Sequence, residues 1–237
     1  MLKLAIIAGM ATAALCGTAY AADLSTPADA TNWTGAYIGV NAGYGPGTAS
    51  DVPGSSYYGG GGQTSVPFAG GFVGGQIGYN YQLDNGLVFG AEADINWAKE
   101  SGSANGSYDA GYYTYDLKDD LNWFGAVTGH VGYAWDKFMP YVLGGVAFAN
   151  NTLSEADSYD YGYESGSSSS TATHVGFTAG IGLAALLTER LSGFVEVRYA
   201  DYGSASYTLS TYAGSYSTTS GVALTDTTVR AGLNFHF

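Results

Sequence analysis

The sequence predicts an all-β fold, an eight-stranded antiparallel transmembrane up-and-down β-barrel. Three observations predict it. Charged residues make up only 11% of the 237, against roughly 25% in soluble domains. Glycine supplies 37 residues and tyrosine 21, both far above ordinary use. Apolar and polar residues alternate along much of the chain, yet beyond the N-terminus no apolar run reaches the roughly 20 residues of a helical span. A barrel in lipid has this profile, because only every second residue of a strand must be apolar.

The N-terminus reads as a targeting signal. Lys3 is a short positive region, residues 4–16 form an apolar core, and Ala19-Tyr20-Ala21 places small residues at both positions a signal peptidase reads. Cleavage is expected after Ala21, making residues 1–21 a signal peptide and 22–237 an outer-membrane barrel domain. The single cysteine, Cys16, leaves with the signal. Bulky Leu15 before it disfavours a lipoprotein, and the mature chain has no disulfide or thiol chemistry. The balance of 20 acidic to 7 basic residues excludes a basic nucleic-acid patch. It also means that acidic loops meet anionic lipopolysaccharide comfortably only with divalent cations between them.

Residues 22–31 read as a flexible leader. Strands are expected at about 33–44, 68–83, 86–97, 119–135, 139–149, 171–187, 191–201 and 223–237. Three connections are tight: Asp84-Asn85-Gly86, Asp136-Lys137 and Thr188-Glu189-Arg190. Asn and Gly in the first accept positive φ, which hairpin turns require. The other four, about 45–67, 98–118, 150–170 and 202–222, are rich in Gly, Ser, Tyr and Thr and read as long loops. Strict alternation of short and long connections matches periplasmic turns and outside loops.

Alternation assigns the faces. In the last strand Val229, Ala231, Leu233, Phe235 and Phe237 oppose Thr228, Arg230, Gly232, Asn234 and His236. In the third, Leu87, Phe89, Ala91, Ala93, Ile95 and Trp97 oppose Val88, Gly90, Glu92, Asp94 and Asn96. In the seventh, Val195, Val197 and Tyr199 oppose Glu196 and Arg198. The fifth strand is ambiguous. A soluble lipocalin-like barrel would turn the apolar face inward. Against it stand a polar face of small residues suited to a crowded lumen, and aromatics near strand ends. Trp33, Tyr44, Tyr81, Trp97, Trp135, Tyr199 and Phe237 read as interface girdles.

The segments GGFVGGQIGYNYQLDNGLVFGAEADI (70–95), TGAYIGVNAGYG, VGYAWDKFMPYVLGGVAFAN and VRAGLNFHF carry a family likeness. With them the chain resembles the small outer-membrane β-barrel proteins of alphaproteobacteria, the immunogenic outer-membrane protein or "porin family" group, which are similar to the membrane domain of OmpA. The resemblance implies that the last strand is read by the barrel assembly machinery, through Arg230, Gly232, Phe235 and Phe237. The chain departs from the family at Thr128 and His130, where arginines are common, which puts a carried-over lumen charge pattern in doubt. No cell-wall-binding domain is expected after the last strand.

Glu92, Asp94, His130, Glu196, Arg198 and Arg230 face inward by alternation and lie at similar heights above the turns. They are expected to pair across the lumen, as a salt-bridged plug or as a gate, because unpaired charges there are costly. Tyrosine clusters such as Tyr57-Tyr58 and Tyr207, Tyr212 and Tyr216 fall in the long connections and offer contacts to host proteins or phage. Glu155, Asp157, Asp160 and Glu164 lack the spacing of a calcium loop, so no metal site is expected, and no cofactor. His130, His174 and His236 sit in no catalytic motif, and no enzyme is expected. The sequence therefore points to a structural barrel that supports the envelope and displays surface loops. Its partners are outer-membrane lipid, lipopolysaccharide and the assembly machinery. A narrow diffusion channel, an adhesin or ligand-binding surface protein, and an envelope enzyme acting through His174 are the alternatives.

Overall fold

The computed structural model describes residues 32–53, 63–108, 113–159, 166–211 and 216–237. The expected signal peptide, with Ala19 and Ala21, lies outside them, as do Tyr57, Tyr58, Tyr212, Asp160 and Glu164. Eight strands follow in order: β1 (Gly35–Pro53), β2 (Gln63–Gln82), β3 (Leu87–Tyr108), β4 (Tyr113–Tyr133), β5 (Phe138–Tyr159), β6 (Gly166–Leu186), β7 (Leu191–Thr211) and β8 (Tyr216–His236). Each pairs antiparallel with its neighbours, and β1 closes on β8 through pairs such as Tyr37↔His236 and Tyr44↔Val229. Closure leaves no sheet edge, which is what allows β structure to stand in lipid.

The short connections follow their turn chemistry. Gly86 takes φ +86 and donates its N–H to Leu83 O at 2.9 Å. Asp136 takes φ +53 between Trp135 and Phe138, whose backbones exchange hydrogen bonds of 2.8 and 3.0 Å. Thr188 Oγ1 accepts from the N–H groups of Arg190 and Leu191, ordering the third turn.

The strands run 19 to 22 residues, about twice what crossing a bilayer needs. They continue through most of the segments whose composition suggested loops. The wall consequently has two tiers of opposite polarity. Near the turns the outward side chains are apolar: Ile77, Phe89, Ile95, Val127, Val197 and Leu233 are all exposed. Above them β3 turns Lys99, Ser101, Ser103 and Asn105 outward. There the interior becomes apolar instead, with Phe68, Phe72, Leu117, Leu121, Leu153, Leu209 and Leu224 packed in one core. Irregularities at Ala49/Val52, Trp97/Glu100, Leu121/Trp123 and Asp201/Ser204 mark the upper wall. Each shifts the pairing register, as bulges do.

Six of the seven aromatics expected in girdles face outward, Trp135 being the most exposed of the tryptophans at 73%. Trp33 differs. It is 1% exposed and packs with Val88, Met139, Ala184 and Phe194 inside the turn-side end of the barrel. Its backbone N–H donates to Gln82 Oε1 at 2.8 Å, and Gln82 N donates to Thr34 Oγ1 at 3.0 Å. The residue just before β1 is thereby tied down as a floor.

Candidate functional site

At mid-height in the lower tier β3, β7 and β8 bring Glu92, Asp94, Glu196, Arg198 and Arg230 together. The Arg198 guanidinium donates from Nη1 to Asp94 Oδ2 at 2.7 Å and from Nη2 to Glu92 Oε1 at 3.0 Å, and its Nε meets Glu196 Oε1. Arg230 donates from Nε to Glu196 Oε1 at 2.8 Å and from Nη2 to Glu92 Oε1 at 2.9 Å, and its Nη1 lies 3.5 Å from Asp94 Oδ1. Planar guanidinium forks suit this shared bridging of carboxylates.

The remaining carboxylate oxygens are occupied from other strands. Tyr37 Oη donates to Glu92 Oε2 at 2.8 Å, Tyr141 Oη donates to Glu196 Oε2 at 2.9 Å, and Asn96 Nδ2 donates to Asp94 Oδ1 at 2.7 Å. Glycines make room for the two rings. A Cβ at Gly78 would fall 2.3 Å from Tyr37 Cζ, and one at Gly182 would fall 2.2 Å from Tyr141 Cζ. Each glycine stands directly opposite its tyrosine on the neighbouring strand. The Arg230 guanidinium also lies 5.5 Å above the Phe194 ring. Five strands, β1, β3, β5, β7 and β8, thus meet in one hydrogen-bonded crosspiece.

His130 does not join the ion pairs. It faces inward as expected, but its Nε2 lies 2.9 Å from Asn80 Oδ1 and its ring lies against Tyr141. Alternation gives the face of a residue and not its partner. Tyr37, Tyr141 and Asn96 were not anticipated as members, although each lies on the inward parity of its strand. A second polar chain runs from Asn41 through Gln76 to Asn234, with bonds of 2.8 and 2.7 Å.

His174 and Tyr207, expected in or near loops, lie inside the upper tier. The His174 ring bonds Tyr207 Oη at 2.8 Å and Gly203 O at 3.3 Å and is sealed from solvent. Among the described residues no group of three or more His, Cys, Asp or Glu side chains is arranged to hold a metal. Of the four residues expected to form the assembly signal, Arg230 and Gly232 face the lumen, while Phe235 and Phe237 face outward with rings edge to face at 5.5 Å.

Comparison with known proteins agrees with this architecture. The chain is 42% identical over 134 residues to the 31 kDa outer-membrane immunogenic protein of Brucella melitensis, covering 54% of each chain. It thus spans about half the length of that relative. It is 30% identical to the 25 kDa outer-membrane immunogenic protein of Brucella melitensis, covering 88% of each chain. Among solved structures it is similar to Ail, the attachment invasion locus protein of Yersinia pestis, with 14% identity, a TM-score of 0.36, and coverage of 85% of this chain and 99% of that one. The outer membrane protein beta-barrel domain matches residues 9–237, and the chain belongs to that family of outer-membrane proteins.

Proposed function

We propose that this outer-membrane barrel is a structural component of the envelope, closed to diffusion, that displays its outer wall and strand connections at the cell surface. The observation that carries the reading is the packing of side chains inside the barrel at three levels. Trp33 forms a floor, the Arg198–Arg230 crosspiece fills the middle, and the apolar core of the outer tier lies above. A gate would need a second arrangement for the crosspiece, yet each of its carboxylate oxygens already has a donor. Breaking such a buried network is costly.

Outer-leaflet lipid and lipopolysaccharide are the proposed surroundings, with the apolar band of the lower tier against acyl chains. The assembly machinery is proposed to engage β8 through Gly232, Phe235 and Phe237 while that edge is still unpaired, by main-chain hydrogen bonding. Contacts with host proteins or phage are proposed for the outer tier, a second reading supported by the immunogenic character in the relatives' names. No catalytic role is proposed, since His174 is occupied by Tyr207 and Gly203. Planar-bilayer recording on the purified barrel tests closure. Silent traces are expected, and reproducible unitary steps would replace the plug with a channel.

A further inference from the structure

Above the crosspiece two further acids enter the lumen. Glu100 on β3 and Asp226 on β8 face inward and are 1% and 2% exposed. Glu100 stands opposite Gly70 on β2 and Leu121 on β4, and Asp226 opposite Gly47 on β1 and Ala200 on β7. The wall between the two acids is bare, because Gly45 on β1 is paired with Gly70 on β2. A Cβ at Gly45 would fall 2.9 Å from Asp226 Oδ1, so the Asp226 carboxylate lies over that backbone, on the side of Glu100.

None of the four carboxylate oxygens accepts a hydrogen bond among the described residues. The Thr227 N–H lies near Asp226 without completing a hydrogen bond to it. The guanidiniums of Arg198 and Arg230 bind Glu92, Asp94 and Glu196, with Arg230 Nη1 left without a hydrogen bond 3.5 Å from Asp94 Oδ1. Tyr202, inward on β7 and buried, lies within electrostatic reach of both acids. A carboxylate removed from water without a partner is strongly disfavoured, so the pair must be neutralised by something that enters with it. The two carboxylates supply oxygen ligands and the charge of −2 that match a hard divalent cation with adaptable geometry.

We infer that Glu100 and Asp226 form a binding site for a hard divalent cation of calcium size inside the outer tier. The ion links β3 to β8 across the glycine-bare wall of β1 and β2, and water completes its shell. It is taken up as the barrel closes, because the apolar core above leaves no open path to the finished site.

The test uses the full barrel folded in detergent, once in calcium chloride and once in EDTA. Equilibrium dialysis is expected to find about one calcium ion retained per barrel. The temperature at which the compact gel band converts to the unfolded one should be roughly 5–10 °C higher with calcium. The double variant Glu100→Gln/Asp226→Asn should lose both the bound calcium and the shift. It should convert no lower than the EDTA-treated wild type, because it buries no charge. If it does not fold, Asp226→Asn alone is read for loss of calcium. Calcium retained by the variants would place the ion elsewhere and overturn the inference. A wild type that binds no calcium, and whose conversion temperature responds only to acid, would show that the pair holds protons and would overturn it equally.

Discussion

Arg230 binds Glu196 and Glu92 and covers Phe194, so its removal strips two carboxylates of a shared donor in the barrel interior. Arg230→Ala is expected to cost about 3–5 kcal/mol, the usual result of leaving buried charge unpaired. The urea midpoint of the refolded barrel measures it, and a wild-type midpoint would remove the crosspiece from the account of stability. Trp33→Ala should cost roughly 3–5 kcal/mol by emptying the floor. Bilayer recordings of this variant should stay silent, because two closures remain above it. The acids and arginines of the crosspiece were legible because strand parity and height can be counted from the turns. Tyr37 and Tyr141 were not, since tyrosine in so tyrosine-rich a chain reads equally well as girdle or loop. Trp33 was misread for the same reason: an aromatic beside a strand end is apolar enough for either side of the wall.

Among the elements, β4, β5 and β7 carry the lesson about strand length. Two changes coincide where their upper halves begin. Outward positions turn from apolar to polar, and the pairing register shifts at Leu121/Trp123 and Asp201/Ser204. A period-two signal that reverses sign and slips phase together looks like its own end, so the sequence stops β5 and β7 about ten residues early and begins β4 six residues late. The three tight turns were legible because their residues fix the backbone locally. Close strand approach can be tested at Gly145, where a Cβ would fall 2.1 Å from Val127 O. Gly145→Ala must push β4 and β5 apart, at an expected cost of about 1–3 kcal/mol. Equilibrium urea unfolding compares it with Gly221→Ala, whose added Cβ meets nothing within 4 Å and should be nearly neutral.

For the molecule as a whole, closure and strand number were readable from alternation and the rhythm of short and long connections. The division into two tiers was not, because it depends on what the upper strands enclose. Strands of about 20 residues at roughly 3.3 Å each, tilted about 40°, build a wall about 50 Å tall. Roughly 25 Å of that suffices for the lipid band. The rest is a stiff turret. Its outward side chains interlock across strands, as Asn122 does with Asn150 and Thr152, and Thr152 with Thr171. An antibody raised against the folded protein therefore meets a mosaic drawn from β4, β5 and β6, not a linear peptide. Such sera should stain the fast-migrating unboiled band and lose the slower boiled one. Equal staining of both would mean that the immune system sees chain segments and that the turret is not the antigenic surface.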